Sequence, residues 1–312
     1  MDHATTQRLK IGIVLPAFEY MLDGQTARWT DILDLVQRAE HLGFDSAWVP
    51  EHYLFHFDQP NAWTGHTDGG AWECWSLLAA LAAATTRIEL GPLVSCTSFH
   101  NPALLAKMAD TIDEIAGGRL ILGLGAGWNH DEFRAFGFPF DHRASRFEEA
   151  VTIIHTLLHQ GTIDFDGTYY QARACELRPR GPRAAGPPIL IGTTRPRMLR
   201  LTARYADFWN VDLWGQHGPA EVAALRTSVD AACVAVGRDP TTLGRTLGLS
   251  MNPLGRDDIP THEAIRGAPE ELAQVLQAFA AEGITHIQVL LLPCSLASLE
   301  AFAPTLEVLK RA

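Results

Sequence analysis

No two cysteines stand at CxxC spacing; the five present, at 74, 96, 175, 233 and 294, are far apart. Several lie inside apolar runs, which reads as reduced, buried thiols in a cytoplasmic protein and excludes a disulfide framework. No apolar run approaches the length that spans a bilayer. The opening MDHATTQRLK lacks the apolar core of a secretion signal. Basic residues are scarce, with 25 Lys and Arg against 36 Asp and Glu, for a formal charge of −11. That balance argues against nucleic acid and anionic membranes as partners, since both need a net basic patch. No low-complexity linker divides the chain, so one domain over 1–312 is expected.

What is present is an alternation. KIGIVLP (10–16), DSAWVPEH (45–52), IELGPLVS (88–95) and RLILGLGAG (119–127) are β-rich apolar runs. PPILIGT (187–193), ADFWNV (206–211), TLGLSMN (246–252) and THIQVLLL (285–292) supply four more. Helical spacing follows each, over 30–43, 73–84, 101–118, 146–161, 196–205, 219–236, 269–282 and 296–310. Eight strand–helix units predict an α/β fold, a (β/α)8 TIM barrel. Continuously apolar strands fit a parallel sheet covered on both faces; a doubly wound open sheet is the competitor. Three segments exceed ordinary loop length: 53–72, 128–145 and 162–186. Asp166-Gly167 marks a hairpin turn in the last. The first two follow strands two and four at the end where barrels build active sites.

Glycines occupy every second position at Gly123, Gly125 and Gly127. A dinucleotide fingerprint would need GxGxxG after a first strand, and here the spacing is GxGxG after the fourth. Two readings stay open: neighbouring chain crowds the barrel mouth, or a flat ring lies across it. Gly192, Thr193 and Thr194 sit between a strand and a helix with Pro196 in its first turn, an arrangement that attracts phosphate. From Arg173 to Arg204 the only acid is Glu176, an island of positive charge. Glu51-His52 closes the second strand, and a histidine there can exchange a proton near neutrality. His56 lies four residues on, but no third ligand has metal-site spacing and no metal is expected. Leu15-Pro16-Ala17 stands where metal-dependent hydrolase barrels carry HxH, which argues against that class.

RLILGLGAGWNHDEFRAFGFPFDHRASRFEEA resembles the signature of the bacterial luciferase-like monooxygenase superfamily, especially the branch that uses the deazaflavin coenzyme F420. HLGFDSAWVPEH, LGPLVSCTSFHNPALLAKMADTIDEIAGGR and PPILIGTTRPRMLRLTARYADFWN match family patterns in the same order. The resemblance implies a ring packed in the barrel mouth against Gly125 and Gly127, with Asn129 in contact with the cofactor. It implies a bulge at Leu93-Val94-Ser95 behind the ring, with a cis peptide at Leu93–Val94. His52 matches the active-site histidine, and Glu51 is taken with it as catalytic. Gly192, Thr193, Thr194 and Pro196 would receive the phosphate. Trp128 replaces the carboxylate that some deazaflavin sugar-phosphate dehydrogenases carry, which weakens that substrate reading. Glu132 and Arg146 are expected to form a structural pair.

The function so implied is hydride transfer between the C5 of F420 and a small organic substrate. The alternatives are an FMN-dependent monooxygenase served by a separate flavin reductase, or a non-catalytic flavin-binding barrel. Trp63, Trp72, Trp128, Phe133 and Phe136 in the two long insertions suggest an apolar lid and substrate. The resemblance also implies a homodimer.

Overall fold

The computed structural model describes residues 8–60, 64–214 and 218–311. Eight parallel strands form its centre: β1 (Lys10–Val14), β2 (Ser46–Val49), β3 (Glu89–Pro92), β4 (Leu122–Gly125), β5 (Ile189–Gly192), β6 (Phe208–Leu213), β7 (Gly244–Asn252) and β8 (His286–Leu291). The pairing runs β3-β2-β1-β8-β7-β6-β5-β4. It returns through Ser95–Cys96, the continuation of β3 beyond a bulge, which pairs with β4. The sheet therefore closes on itself, which removes its edges and rules out the open doubly wound competitor.

Helices α1 (Trp29–Leu42), α2 (Cys74–Ala84), α3 (Pro102–Ile115), α5 (Arg143–Gln160), α6 (Pro196–Tyr205), α7 (Pro219–Ala235), α8 (Pro269–Ala281) and α9 (Leu296–Arg311) cover the outside, and α4 (His130–Phe136) lies within an insertion. Local chemistry sets several starts. Glu73 accepts from the Trp75 and Ser76 amides ahead of α2, and Asn101 does the same for Ala103 and Leu104 ahead of α3. Pro102 takes the first turn of α3, where its missing N–H costs nothing.

The insertions are more ordered than loops. Leu54–His56 pairs with Asp68–Gly70 as a short antiparallel ribbon within 53–72. Segment 128–145 holds α4, seven residues between its N-cap Asn129 and Gly137, too short for periodicity to reveal. Helix α5 starts at Arg143, before the apolar spacing begins. The third insertion is a hairpin of Thr162–Asp166 with Gln171–Glu176, turned where the Gly167 amide donates to the Tyr170 carbonyl. Among the described residues no helix is long and apolar enough to cross a membrane.

A polar group is buried inside the barrel. His286 on β8 faces Ser46 on β2, whose Oγ lies 2.7 Å from His286 Nε2 and accepts from Trp48 Nε1. Burial, with Lys10 as a lesser cause, pushes the His286 imidazole down to about 3. The folded chain thus keeps this ring neutral where an unfolded one, with a pKa near 6.5, takes a proton. Acid therefore favours unfolding between about pH 6.5 and 3, by roughly 3 kcal/mol at pH 4. Urea unfolding measured across this range should show that loss, and His286→Gln should flatten it. An unchanged pH slope in the variant would contradict the assignment.

Candidate active site

A cavity of about 900 Å³ opens at the C-terminal ends of the strands. Two buried carboxylates shape its rim. Glu51, one step past Pro50 after β2, is 2% exposed and accepts from Ser95 Oγ (2.9 Å), Cys96 N (2.7 Å) and His100 Nε2 (2.8 Å). Both its oxygens are committed, so this expected catalytic acid acts by holding the chain. Glu132 on α4 is 1% exposed; it accepts from His52 Nδ1 at 3.0 Å, from Leu54 N at 3.3 Å and from Tyr53 N. It does not pair with Arg146, which donates to Asp141 and lies over the Tyr169 ring. The expected structural pair is therefore corrected: Glu132 orients His52.

A carboxylate can only accept, so His52 Nδ1 carries the proton and Nε2 keeps the lone pair in the neutral ring. His52 lines the cavity, with Trp128 5.6 Å away and Phe18 6.0 Å away, ring centre to ring centre. His56 turns elsewhere, to Asp68 at 2.7 Å. Among the described residues no three His, Cys, Asp or Glu side chains are placed to hold a metal.

The Leu93–Val94 peptide is cis, and both residues line the cavity. The bulge they form lies against β4 and explains its glycines. A Cβ at Gly125 would fall 2.7 Å from Val94 Cγ2, and one at Gly123 would strike the Pro92 carbonyl. Crowding by neighbouring chain is thus sufficient reason for the alternate glycines; Gly125 and Gly127 still face the cavity. Cys96 lines it too, but burial beside Glu51 pushes its thiol far up, so it stays neutral and unreactive.

Three of the expected contacts turn away. Ser95 is fully buried and engaged with Glu51 and Trp75. Asn129 spends its side chain on the Leu54 carbonyl, at 2.8 Å, because the ribbon start needs a donor there. Pro196 is the exposed first residue of α6 and does not line the cavity, whereas Gly192, Thr193 and Thr194 do. Of the lid aromatics Trp128 lines the cavity; Phe133 is buried in a small cluster behind it, while Trp72 and Phe136 are surface residues. Trp63 lies outside the described residues.

Residues the sequence reading passed over complete this wall. Helices α5 and α6 both begin here, and neither N-cap makes a side-chain hydrogen bond. Free first-turn amides favour an anion, and acids are the usual first-turn residues. Neither helix has one; Arg143 opens α5, while Arg195 and Arg197 flank Pro196 at the start of α6. Arg143 lies 3.7 Å over the Phe140 ring, and its Nη1 is buried without a hydrogen-bond partner. Arg197 bridges the helices through Ser145 Oγ (3.0 Å) and Glu148 (2.7 Å). The rest of the arginine island is structural in part: Arg178, Arg180 and Arg183 pair with Glu176, Asp110 and Asp113. Basic residues set against the helix dipoles were the signal available in the sequence for an anion site at Arg143.

The model of the luciferase-like monooxygenase family matches residues 9–260. The chain belongs to that family. An F420-dependent hydroxymycolic acid dehydrogenase of Mycobacterium tuberculosis is 31% identical over 239 residues, 75% of this chain and 60% of that protein. A pyrimidine monooxygenase, RutA of Allorhizobium ampelinum, is 32% identical over 211 residues, 66% of this chain and 55% of that one. The chain thus spans little more than half the length of these relatives. A solved F420-dependent secondary alcohol dehydrogenase, in complex with an F420–acetone adduct, shares the fold. Its TM-score is 0.79 at 19% identity, covering 97% of this chain and 99% of that one.

Arg143→Ala should weaken binding of F420 or FMN roughly tenfold or more, the worth of a charge-assisted hydrogen bond. The melting temperature of the cofactor-free protein should change little. Equal affinity in a fluorescence titration of the variant would contradict the anion site.

Proposed function

We propose that this member of the family is an F420-dependent oxidoreductase that moves a hydride between the deazaflavin and a small organic substrate. The observation that carries the reading is the buried, unpartnered Arg143 Nη1, at the wall where two uncapped helices begin, in the same cavity as His52. The residues fit the group. Arg143, Arg195, Arg197 and the Gly192–Thr194 turn would hold its phosphate, and Leu93, Val94, Gly125 and Gly127 would lie against its ring. Arginines at the mouth also suit an acidic tail. Bound F420 supplies the hydride acceptor or donor.

The protein's part is positioning and proton handling. His52 Nε2 takes the proton from the substrate's O–H or N–H bond as the adjacent carbon gives up its hydride, and returns it in the reverse direction. Glu132 fixes the tautomer that leaves Nε2 able to accept. Glu51 is a positioning residue that fixes the bulge. Buried Phe18 and the largely exposed Trp128 flank the His52 ring. The likeness to a pyrimidine monooxygenase favours a second reading, an FMN-dependent monooxygenase served by a separate flavin reductase.

His52→Ala should keep its F420 affinity and lose turnover. In an anaerobic assay, oxidation of reduced F420 by a panel of ketones, aldehydes and imines should slow at least about a hundredfold. Undiminished turnover in the variant would remove His52 from the mechanism. Oxygen consumption with reduced FMN, and none of the panel reduced, would favour the second reading.

A further inference from the structure

Among the described residues three carboxylates line the cavity: Glu51, Glu132 and Asp212. The first two each accept three hydrogen bonds, as described above. Asp212, on β6, accepts one among the described residues, from Asn210 Nδ2 at 2.9 Å. Asn210 Oδ1 in turn accepts from Thr246 Oγ1 on β7 at 2.5 Å, so a fully buried amide fixes the carboxyl's direction.

The neighbouring strand makes room for this group. Gly248 stands opposite Asp212 in the β6–β7 register. A Cβ there would lie 2.6 Å from Asp212 Oδ1 and 2.8 Å from Trp214 Cη2. Glycine weakens the interior of a strand and has no side chain to pack; here it leaves space for a carboxyl beside an indole. In the closed ring of eight strands β6 lies four places from β2 in either direction. Asp212 and His52 therefore reach the cavity from facing walls, with Val14, Met21 and Leu290 on the apolar wall between them.

No lysine or arginine pairs with Asp212 among the described residues. The low-dielectric walls of the cavity around it push its carboxyl up to about 6, and the bond from Asn210 only partly offsets this. Asp212 is exposed and opens onto the cavity, and a carboxylate there gains more from a cationic donor than from a hydroxyl. We propose that Asp212 is the substrate-reading residue of the cavity, binding the ammonium group of a largely apolar amine placed between it and His52. This deepens the function proposed above and rests on it only in taking this cavity as the substrate site.

The test is calorimetric binding of benzylamine, benzyl alcohol and benzoate to the full chain at about pH 7.5, where the carboxyl is ionised. Benzylamine should bind best and benzoate worst. Asp212→Asn should weaken benzylamine roughly tenfold, the worth of one charge-assisted hydrogen bond. Gly248→Ala, whose methyl displaces the carboxyl, should weaken it as well. F420 affinity within about twofold of wild type shows that each variant is folded. The proposal is overturned if benzylamine does not bind the wild type, if Asp212→Asn binds it equally well, or if the alcohol or benzoate is preferred. Failure of F420 to bind the wild type would instead remove the hydride-transfer reading, and the benzylamine comparison would still report on Asp212.

Discussion

Glu51 carries a carboxylate into the interior at the end of β2, where a side-chain hydroxyl, a backbone amide and a histidine from the β3 bulge and its continuation all donate to it. A buried charge is tolerated only when its lone pairs are satisfied. The three donors come from residues 95, 96 and 100, so satisfying Glu51 fixes the path of the chain through the bulge. The bulge in turn presses on β4 and leaves space there for glycine alone. Glu132 repeats the device one layer out, drawing residues 52–54 onto α4. The mouth is thus held by two inward carboxylates, and the imidazole of His52 is held between their two anchor points.

The walls of the cavity differ in charge. On the side of β5, α5 and α6, arginines stand where helix dipoles already favour an anion, and one guanidinium nitrogen is buried without a partner. On β6 stands Asp212, which among the described residues accepts a single hydrogen bond. Between them the lining is largely apolar. Such a division orients a molecule that is anionic at one end and leaves the ring-facing space for a second, smaller one.

The barrel was legible because its strands are buried on both faces and read as unbroken apolar runs, with a helix period after each. The small elements were not: α4 is shorter than two full heptads of pattern, and the ribbon at Leu54–His56 gains its order from Glu132 and Asn129, more than seventy residues away. The site was legible in part, through the resemblance. His52 and Gly192–Thr194 lie on the cavity, whereas Ser95 and Asn129, two or fewer residues from lining positions, turn into the structure. A strand sends successive side chains to opposite faces, and the resemblance named stretches, not faces. From the sequence Glu132 is expected to pair with Arg146, because its actual partner, His52, is 80 positions away. Asp212 carried no signal, since nothing in the letters shows that Gly248 leaves space for it. Arg143 alone had a local signal, a base where a helix start usually carries an acid.

Under the function proposed above, the cavity takes a phosphate-bearing deazaflavin. Equilibrium titration of the wild-type chain with F420 and with FMN, side by side under the same buffer and salt, tests it most directly. F420 should bind at least about tenfold more tightly than FMN. Preference for FMN, or binding of neither, would contradict it.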